Sequence, residues 1–166
     1  MCGIVGLFLK DKSLEPLLGE MLTSMLITMT DRGPDSAGIA IYGSENPGRL
    51  KMTVQSDAPE IAFAGLDAEL SAMLGGTVLM EVISTHAVLS IPVGSFENVR
   101  SALIEIRPNI RIMSRGDTLE IYKEVGLPKD VAARFNVTSM SGTHGIGHTR
   151  MATESAITTM GAHPFN

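Results

Sequence analysis

Residues 3–9 read GIVGLFL, a short apolar run with two glycines that directly follows Cys2, the only cysteine among 166 residues. A short apolar segment of this kind predicts a buried β-strand. A single cysteine excludes an intramolecular disulfide and fits a reducing, cytoplasmic compartment. We therefore expect a fold that contains a buried strand at this position, with the chain's one thiol at the start of that strand.

The composition is that of a packed chain with excess negative charge. Hydrophobic residues make up 44% of the sequence and charged residues 19%, which suits a hydrophobic core and argues against disorder. The formal net charge of −5 argues against a nucleic-acid partner. Since no apolar run approaches the ~18 residues of a transmembrane helix, we expect no membrane association either.

Apolar periodicity predicts a mixture of helices and strands. The expected helices are 14–29, 64–74, 96–106 and 128–135. The expected strands are 3–9, 36–42, 50–55, 109–114 and 118–124, together with a β-rich stretch over 77–91 that includes a strand at 85–91. We expect Ser13 to cap the first helix and Gly75 to end the second.

Two pairings and one turn follow from the same pattern. Strand 50–55 is expected to pair back on strand 36–42, and strands 109–114 and 118–124 are expected to form a hairpin. The glycine-rich segment 142–147 predicts turn geometry. His144 and His148 are four residues apart, a spacing that suits metal ligands on a helix, but the glycines between and beside them disfavour a helix, so we expect no metal site.

Cys2 carries the chemistry that the sequence suggests. Removal of Met1 would give Cys2 a free α-amine, whose ordinary pKa of about 7.7–8.0 lets it accept the thiol proton near neutral pH. One residue would then supply both the nucleophile and the base. The small Gly3 leaves space beside the thiol. The alternative is that Cys2 is a small buried apolar residue, the commonest role of a free cysteine.

Four short motifs accompany Cys2 along the chain. They are Cys2-Gly3-Ile4-Val5-Gly6, Arg32-Gly33-Pro34-Asp35-Ser36-Ala37-Gly38, His148-Thr149-Arg150-Met151-Ala152-Thr153 and Ala162-His163-Pro164. In this order they resemble class II glutamine amidotransferases, the N-terminal-nucleophile family that hydrolyses glutamine to glutamate and ammonia. Each string is weak alone, and the four together are specific.

The resemblance implies a role for each matched residue. Cys2 becomes the nucleophile, Arg150 binds the α-carboxylate of glutamine, and Thr153 contacts the amino-acid end of the substrate. A guanidinium suits the first task because its planar fork binds a carboxylate through two hydrogen bonds. Met151 and His163 are expected to border the substrate. Arg32 and Gly3 are expected to support the nucleophile. His163 is equally compatible with a structural role, and Arg32 with stabilising a helix C-terminus.

The resemblance also implies a fold. We expect an α+β protein, the four-layer α/β/β/α sandwich of N-terminal-nucleophile hydrolases, with residues 1–80 and 139–166 in the glutaminase domain. Residues 81–138 are expected to form an inserted small α+β subdomain. The sequence ends before the Asn-Gly pair that forms the family's oxyanion hole. We therefore expect an incomplete domain that is inactive alone.

The inserted segment indicates which partner proteins to expect. It resembles the glutaminase subunit of N-methylglutamate synthase and its glutamate-synthase-like relatives. In those systems separate flavin-bearing and β-helical subunits use the released ammonia. The resemblance thus implies L-glutamine as substrate, no cofactor in this chain and FMN in a partner subunit.

Two other functions are compatible with the sequence. An N-terminal-cysteine hydrolase can act on a different acyl amide, although Arg150 and Thr153 suit a substrate with an amino-acid end. A non-catalytic assembly or binding module would use the inserted segment as its docking surface. A retained Met1 would favour this second alternative because it blocks the α-amine.

Overall fold

The computed structural model describes residues 2–152, 158–159 and 161–164. The chain divides into two compact units, of which the first comprises Met1–Ser44 and Ile121–Asn166 and the second Glu45–Glu120. These limits differ from the expected boundaries at 80/81 and 138/139, because residues 49–55 pair with strands of the second unit. The assignment of 1–80 and 139–166 to a glutaminase domain, and of 81–138 to an insertion, stays a prediction.

Eight strands and five α-helices are described. The strands are Gly3–Phe8 (β1), Ser36–Tyr42 (β2), Arg49–Gln55 (β3), Leu79–Ile83 (β4), His86–Pro92 (β5), Arg111–Gly116 (β6), Leu119–Val125 (β7) and His144–Arg150 (β8). The α-helices are Leu18–Thr28 (α1), Pro59–Ala62 (α2), Leu66–Leu74 (α3), Phe96–Ile106 (α4) and Pro128–Arg134 (α5). No helix in the described part of the chain is long and apolar enough to cross a membrane.

The first unit is built on a four-stranded sheet of order β1-β8-β2-β7. The strand β8 runs antiparallel to both neighbours, with Gly3 of β1 opposite Thr149 and Gly38 of β2 opposite His148. The helix α1 packs on one face of this sheet and buries Leu22 and Leu26. The first and the last strand of the described chain are thus neighbours in one sheet.

The strand β8 replaces the turn expected over 142–147, and close packing explains why it is rich in glycine. An ideal Cβ on Gly145 would lie 2.8 Å from a methyl carbon of Leu22, and one on Gly147 would lie 2.9 Å from a methyl carbon of Leu26. Glycine therefore lets α1 approach β8 closely. The expectation of turn geometry was wrong because these glycines provide space between two elements and do not mark a change of chain direction.

Two expectations for the start of the chain need correction. The strand β1 is present, but only one of its faces is buried, and Ile4 and Phe8 are 68% and 67% exposed. The predicted helix 14–29 is a 3₁₀ helix over Lys12–Leu17 followed by α1, with Asp11 and not Ser13 as its N-cap. Pro16 explains this division because it lacks the N–H that a continuous α-helix would need there.

The second unit has its own sheet and core. Its sheet order is β4-β5-β3-β6, so β3 lies between β5 and β6 and not beside β2 as expected. The strands β6 and β7 likewise belong to different sheets and are not the predicted hairpin. Both corrections have one cause: alternating apolar residues identify a strand but not its partner. The helices α3 and α4 contribute Leu66, Leu70, Val99 and Leu103 to the core of this unit.

The remaining expectations for regular structure are confirmed. The helix α4 has the predicted limits, α3 ends at Gly75 in the left-handed conformation with φ 63°, and the stretch 77–91 contains two strands. The α+β class is confirmed as well, since the chain has two antiparallel sheets and several helices. The four-layer sandwich stays a prediction.

Candidate functional site

The candidate site lies on the face of the first sheet that points away from α1. An ideal Cβ on Gly3 would lie 2.9 Å from Thr149 Oγ1 and 3.1 Å from Met29 Cβ, so Gly3 and Thr149 face the helix side. Successive side chains of a strand point to opposite faces. Cys2, which precedes Gly3, and His148, which precedes Thr149, therefore share the other face.

Three side chains meet there and are called the Cys2 cluster: Cys2, His148 and His163. The sulfur of Cys2 and one ring nitrogen from each histidine all lie within 4.8 Å of one another. His163 Nδ1 is 3.1 Å from His148 Nε2, and the two rings meet edge to face with centroids 4.3 Å apart. Cys2 is exposed, whereas His148 is only 7% exposed. A solvent-accessible thiol thus stands beside a buried imidazole.

The strand β2 helps to place His163. An ideal Cβ on Gly38 would overlap the carbonyl oxygen of His163 and lie 2.9 Å from Lys123 Cβ. Ala162 is fully buried, and the carbonyl oxygen of Pro164 accepts a hydrogen bond of 3.4 Å from Lys123 Nζ. The segment 162–164 therefore lies directly over Gly38, which has no side chain to displace it.

The strand β7 supplies a second attachment for this segment. The Glu124 carboxylate accepts a hydrogen bond from Thr159 Oγ1 and forms an ion pair of 3.5 Å with Arg134 of α5. The N–H of Ala162 in turn donates to the carbonyl oxygens of Thr158 and Thr159, each at 3.2 Å. His163 is thus positioned by a short chain of contacts that begins on β7.

Arg150 ends β8 beside the cluster. An ideal Cβ on Gly161 would lie 2.6 Å from one terminal nitrogen of the guanidinium, so the arginine packs against this glycine. Asp35 fixes the backbone on either side: its N–H donates to Arg150 O at 3.1 Å, and its carboxylate accepts from the Ala152 N–H at 2.7 Å. The guanidinium is therefore held on an ordered strand end.

The electrostatics of the site keep both histidines neutral. Burial, and then the nearby His163 and Arg150, lower the pKa of His148 to about 4. Burial, and then Arg150 and Lys123, lower the pKa of His163. Burial also lowers the pKa of Lys123. At neutral pH both imidazoles can therefore act as hydrogen-bond donors, acceptors or metal ligands.

We expect the Gly38→Ala variant to disturb the cluster. The added methyl group must displace the backbone of His163, and overpacking of this kind typically costs about 1–3 kcal/mol. The prediction is a lower thermal unfolding midpoint and altered ring resonances of His163 in NMR spectra. Gly6→Ala is the matched control because the corresponding Cβ on β1 has no atom within 4 Å. Equal effects of the two variants would contradict the proposed packing.

The protein is also expected to lose stability as the solution becomes acidic. His148 takes up a proton near its ordinary pKa of about 6.5 when unfolded, but only near pH 4 when folded. The unfolded state therefore binds more protons between these values, and the free energy of unfolding falls by about 2 kcal/mol from pH 7 to pH 5. Denaturant unfolding of metal-free protein measures this change. A constant free energy over that range would contradict the buried, neutral state of His148.

The other predicted site residues occupy different surroundings. Gly3 packs against Thr149 behind the thiol, and Met151 is 36% exposed just beyond β8. Arg32 is exposed at the end of the 3₁₀ helix Thr30–Arg32, and among the described residues its side chain makes no hydrogen bond or ion pair. Thr153 lies outside the described residues. The roles assigned to these four residues stay predictions.

Sequence reasoning missed two members of the site. His148 belongs to one of the four motifs and was weighed as a metal ligand with His144, but it was given no role beside Cys2. His144 instead stacks on Tyr42 with ring centroids 4.0 Å apart. Recognition of β8 as a strand would have placed His148 on the same face as Arg150, two residues later. Lys123 is fully buried in β7, and no pattern in the sequence distinguishes it from a surface lysine.

Comparison with known proteins gives two relatives and no matching family model. The "Glutamine amidotransferase-like protein GlxB" of Rhizobium meliloti is 64% identical over 166 residues, which are 100% of this chain and 55% of that protein. The "Putative glutamine amidotransferase" of Methanothermobacter thermautotrophicus is 33% identical over 173 residues, which cover 99% of this chain and 56% of that protein. The chain spans about half the length of the curated relatives it matches. Both relatives carry the words glutamine amidotransferase in their names.

Proposed function

We propose that this chain is the glutamine-hydrolysing part of a class II amidotransferase, with Cys2 as its N-terminal nucleophile. The observation that carries the proposal is the Cys2 cluster, in which an exposed thiol lies within 4.8 Å of two imidazoles on a sheet face that ends in Arg150. The names of the relatives support the coarser part of the proposal, a glutamine amidotransferase function.

The proposed reaction begins with removal of Met1, which frees the α-amine of Cys2. This amine accepts the thiol proton, and the resulting thiolate attacks the side-chain amide carbon of glutamine. The C–N bond breaks, and ammonia leaves with the proton. Water then cleaves the γ-glutamyl thioester, which releases glutamate and regenerates the thiol.

Substrate binding in this proposal depends on charge. Both histidines of the Cys2 cluster are neutral, so they cannot hold a carboxylate by charge. We assign the glutamine α-carboxylate to Arg150, whose positive charge lowers the pKa of both imidazoles. Thr153 and Met151 complete the contacts to the amino-acid end, and His163 borders the pocket. Arg32 and Gly3 support the nucleophile, the first through its positive charge and the second through its small size.

The released ammonia is proposed to pass to a synthase partner. We infer an N-methylglutamate synthase or a related glutamate-synthase-like complex with separate flavin-bearing and β-helical subunits. The cofactor FMN would reside in a partner subunit, and this chain would contribute only the ammonia. Co-purification of the complete protein with a flavin-containing subunit tests this part of the proposal.

The central experiment uses protein expressed from its complete reading frame. Glutamate and ammonia formation from L-glutamine is measured with and without the partner subunits, and intact mass determines whether Met1 has been removed. Glutamine turnover by protein that lacks Met1 supports the proposal. Hydrolysis of other acyl amides without glutamine turnover would identify a different amidohydrolase. A retained Met1 with no turnover in either condition would identify a non-catalytic module.

A further inference from the structure

We propose that Cys2, His148 and His163 bind a zinc ion, which reversibly blocks the thiol. The expected effect of zinc on glutamine hydrolysis rests on the proposed function, because the blocked thiol is the proposed nucleophile. Binding of the metal itself depends only on the three side chains. It would give the site a second, inhibitory ligand beside its substrate.

The separation of the two histidine nitrogens in the Cys2 cluster is close to that in a tetrahedral zinc site. With Zn–N bonds of about 2.0–2.1 Å, two nitrogen ligands of a tetrahedral ion lie about 3.3 Å apart. His163 Nδ1 and His148 Nε2 are 3.1 Å apart. The sulfur lies within 4.8 Å of the ligand nitrogens, and the exposed Cys2 side chain can close the remaining gap by rotation.

The donor set favours zinc over harder cations. Zinc is commonly bound by cysteine sulfur and histidine nitrogen, whereas magnesium and calcium prefer oxygen ligands. Three protein ligands leave a fourth position for water. The rigidity of the two histidines also helps, since His148 is 7% exposed and the backbone of His163 lies directly over Gly38.

Metal binding requires a defined proton rearrangement. The two facing nitrogens share one hydrogen bond in the metal-free protein, so one of them carries a proton. That proton must move to the outer nitrogen of the same ring so that both lone pairs face the ion. His148 Nδ1, the outer nitrogen of one ring, is buried and has no hydrogen-bond partner among the residues that the structure describes. The thiol of Cys2 loses its proton to solvent when sulfur binds the metal.

Zinc binding would stop glutamine hydrolysis for two reasons. A thiolate that donates its electron pair to zinc is no longer free to attack a carbonyl carbon. The ion also occupies the space between the thiol and the histidines. The positive charge of Arg150 opposes a second cation nearby, and the negative charge of the bound thiolate offsets this repulsion.

Direct titration tests the site without an activity measurement. The complete protein is freed of metal with a chelator, and ZnCl₂ is then titrated in competition with a chromogenic zinc indicator. We expect one equivalent to bind. Titration with CoCl₂ should give a thiolate-to-cobalt charge-transfer band and the visible absorption of a tetrahedral ion. Absence of stoichiometric zinc binding, or of the charge-transfer band, would overturn the proposal.

Variants identify the ligands. Cys2→Ala and His163→Ala should each raise the zinc dissociation constant at least about 100-fold, more than the loss of an outer-shell partner typically does. Cys2→Ala should also abolish the charge-transfer band. His144→Gln is the matched control because it changes a histidine on the same strand that stacks on Tyr42, outside the cluster. Unchanged zinc affinity in Cys2→Ala, or an equal loss in His144→Gln, would place the ion elsewhere and refute the site.

Activity measurements separate this inference from the proposed function. We expect micromolar zinc to inhibit glutamine hydrolysis and the chelator to restore it. Glutamine turnover that depends on Cys2 but occurs without zinc binding would refute the zinc site and leave the proposed function intact. Zinc binding by Cys2 and His163 in a protein without glutamine turnover would support the metal site and refute the proposed function.

Discussion

Replacement of Cys2 by alanine is expected to lower the rate of glutamine hydrolysis by at least about 10⁴-fold. The methyl group cannot form the thioester. In the proposed reaction neither of the two neighbouring histidines acts as a nucleophile. Glutamine binding should change little because Arg150 and both imidazoles remain. Steady-state kinetics measure the rate, and calorimetry measures the affinity for glutamine.

Two further measurements make this prediction specific. An electrophilic glutamine analogue should add its mass to wild-type protein at Cys2 and add nothing to Cys2→Ala. His144→Gln should retain normal turnover, since His144 stacks on Tyr42 and takes no part in the cluster. Normal hydrolysis by Cys2→Ala would disprove the role of the thiol, whatever the affinity of the variant for glutamine.

Gly19→Ala is expected to destabilise the protein by about 3 kcal/mol, although alanine is the better helix former by about 1 kcal/mol. Gly19 lies in the first turn of α1, where its N–H donates to the carbonyl oxygen of Met140 at 2.9 Å. An ideal Cβ there would overlap the carbonyl oxygen of Val137 and lie 2.7 Å from that of Met140. Because these are backbone atoms, the strain cannot be relieved by a side-chain rotation.

Thermal unfolding tests this prediction, with a fall in the midpoint of roughly 5–10 °C. Ser24→Ala is the control because Ser24 is exposed in the same helix and its hydroxyl only donates to the Glu20 carbonyl at 3.0 Å. We expect it to change the free energy of unfolding by less than about 0.5 kcal/mol. If Gly19→Ala were as stable as this control, the close approach of α1 to residues 137–140 would be wrong.

Local sequence patterns predicted a helix or strand well where residues within that element determine where it begins and ends. The limits predicted for α4 from its periodic apolar residues, and those predicted for the strand Ser36–Tyr42, are the observed ones. The order of the four motifs placed Cys2, Arg150 and His163 in one candidate site, and the structure brings Cys2 and His163 together. These features depend on residues near one another in sequence or on a recognisable motif.

Long-range contacts were not predictable in the same way. The strands that pair with β3 are determined by the rest of the fold. The seven residues of β3 do not by themselves specify which strands these are. The glycines of β8 look like turn residues until the methyl groups of Leu22 and Leu26 are placed beside them. The proximity of His148 to His163, and the burial of Lys123, likewise arise only when distant segments are assembled.

The alternation of β8 has a consequence for how the protein can evolve. Gly145, Gly147 and Thr149 face the packing side, whereas His148 and Arg150 face the candidate site. Selection for structural integrity and selection for chemistry therefore act on interleaved positions of one seven-residue strand. Substitutions at the site-facing positions can change which ligands bind while the packing side stays constant. An insertion of a single residue would move each set of side chains to the opposite face and disrupt both the packing and the site.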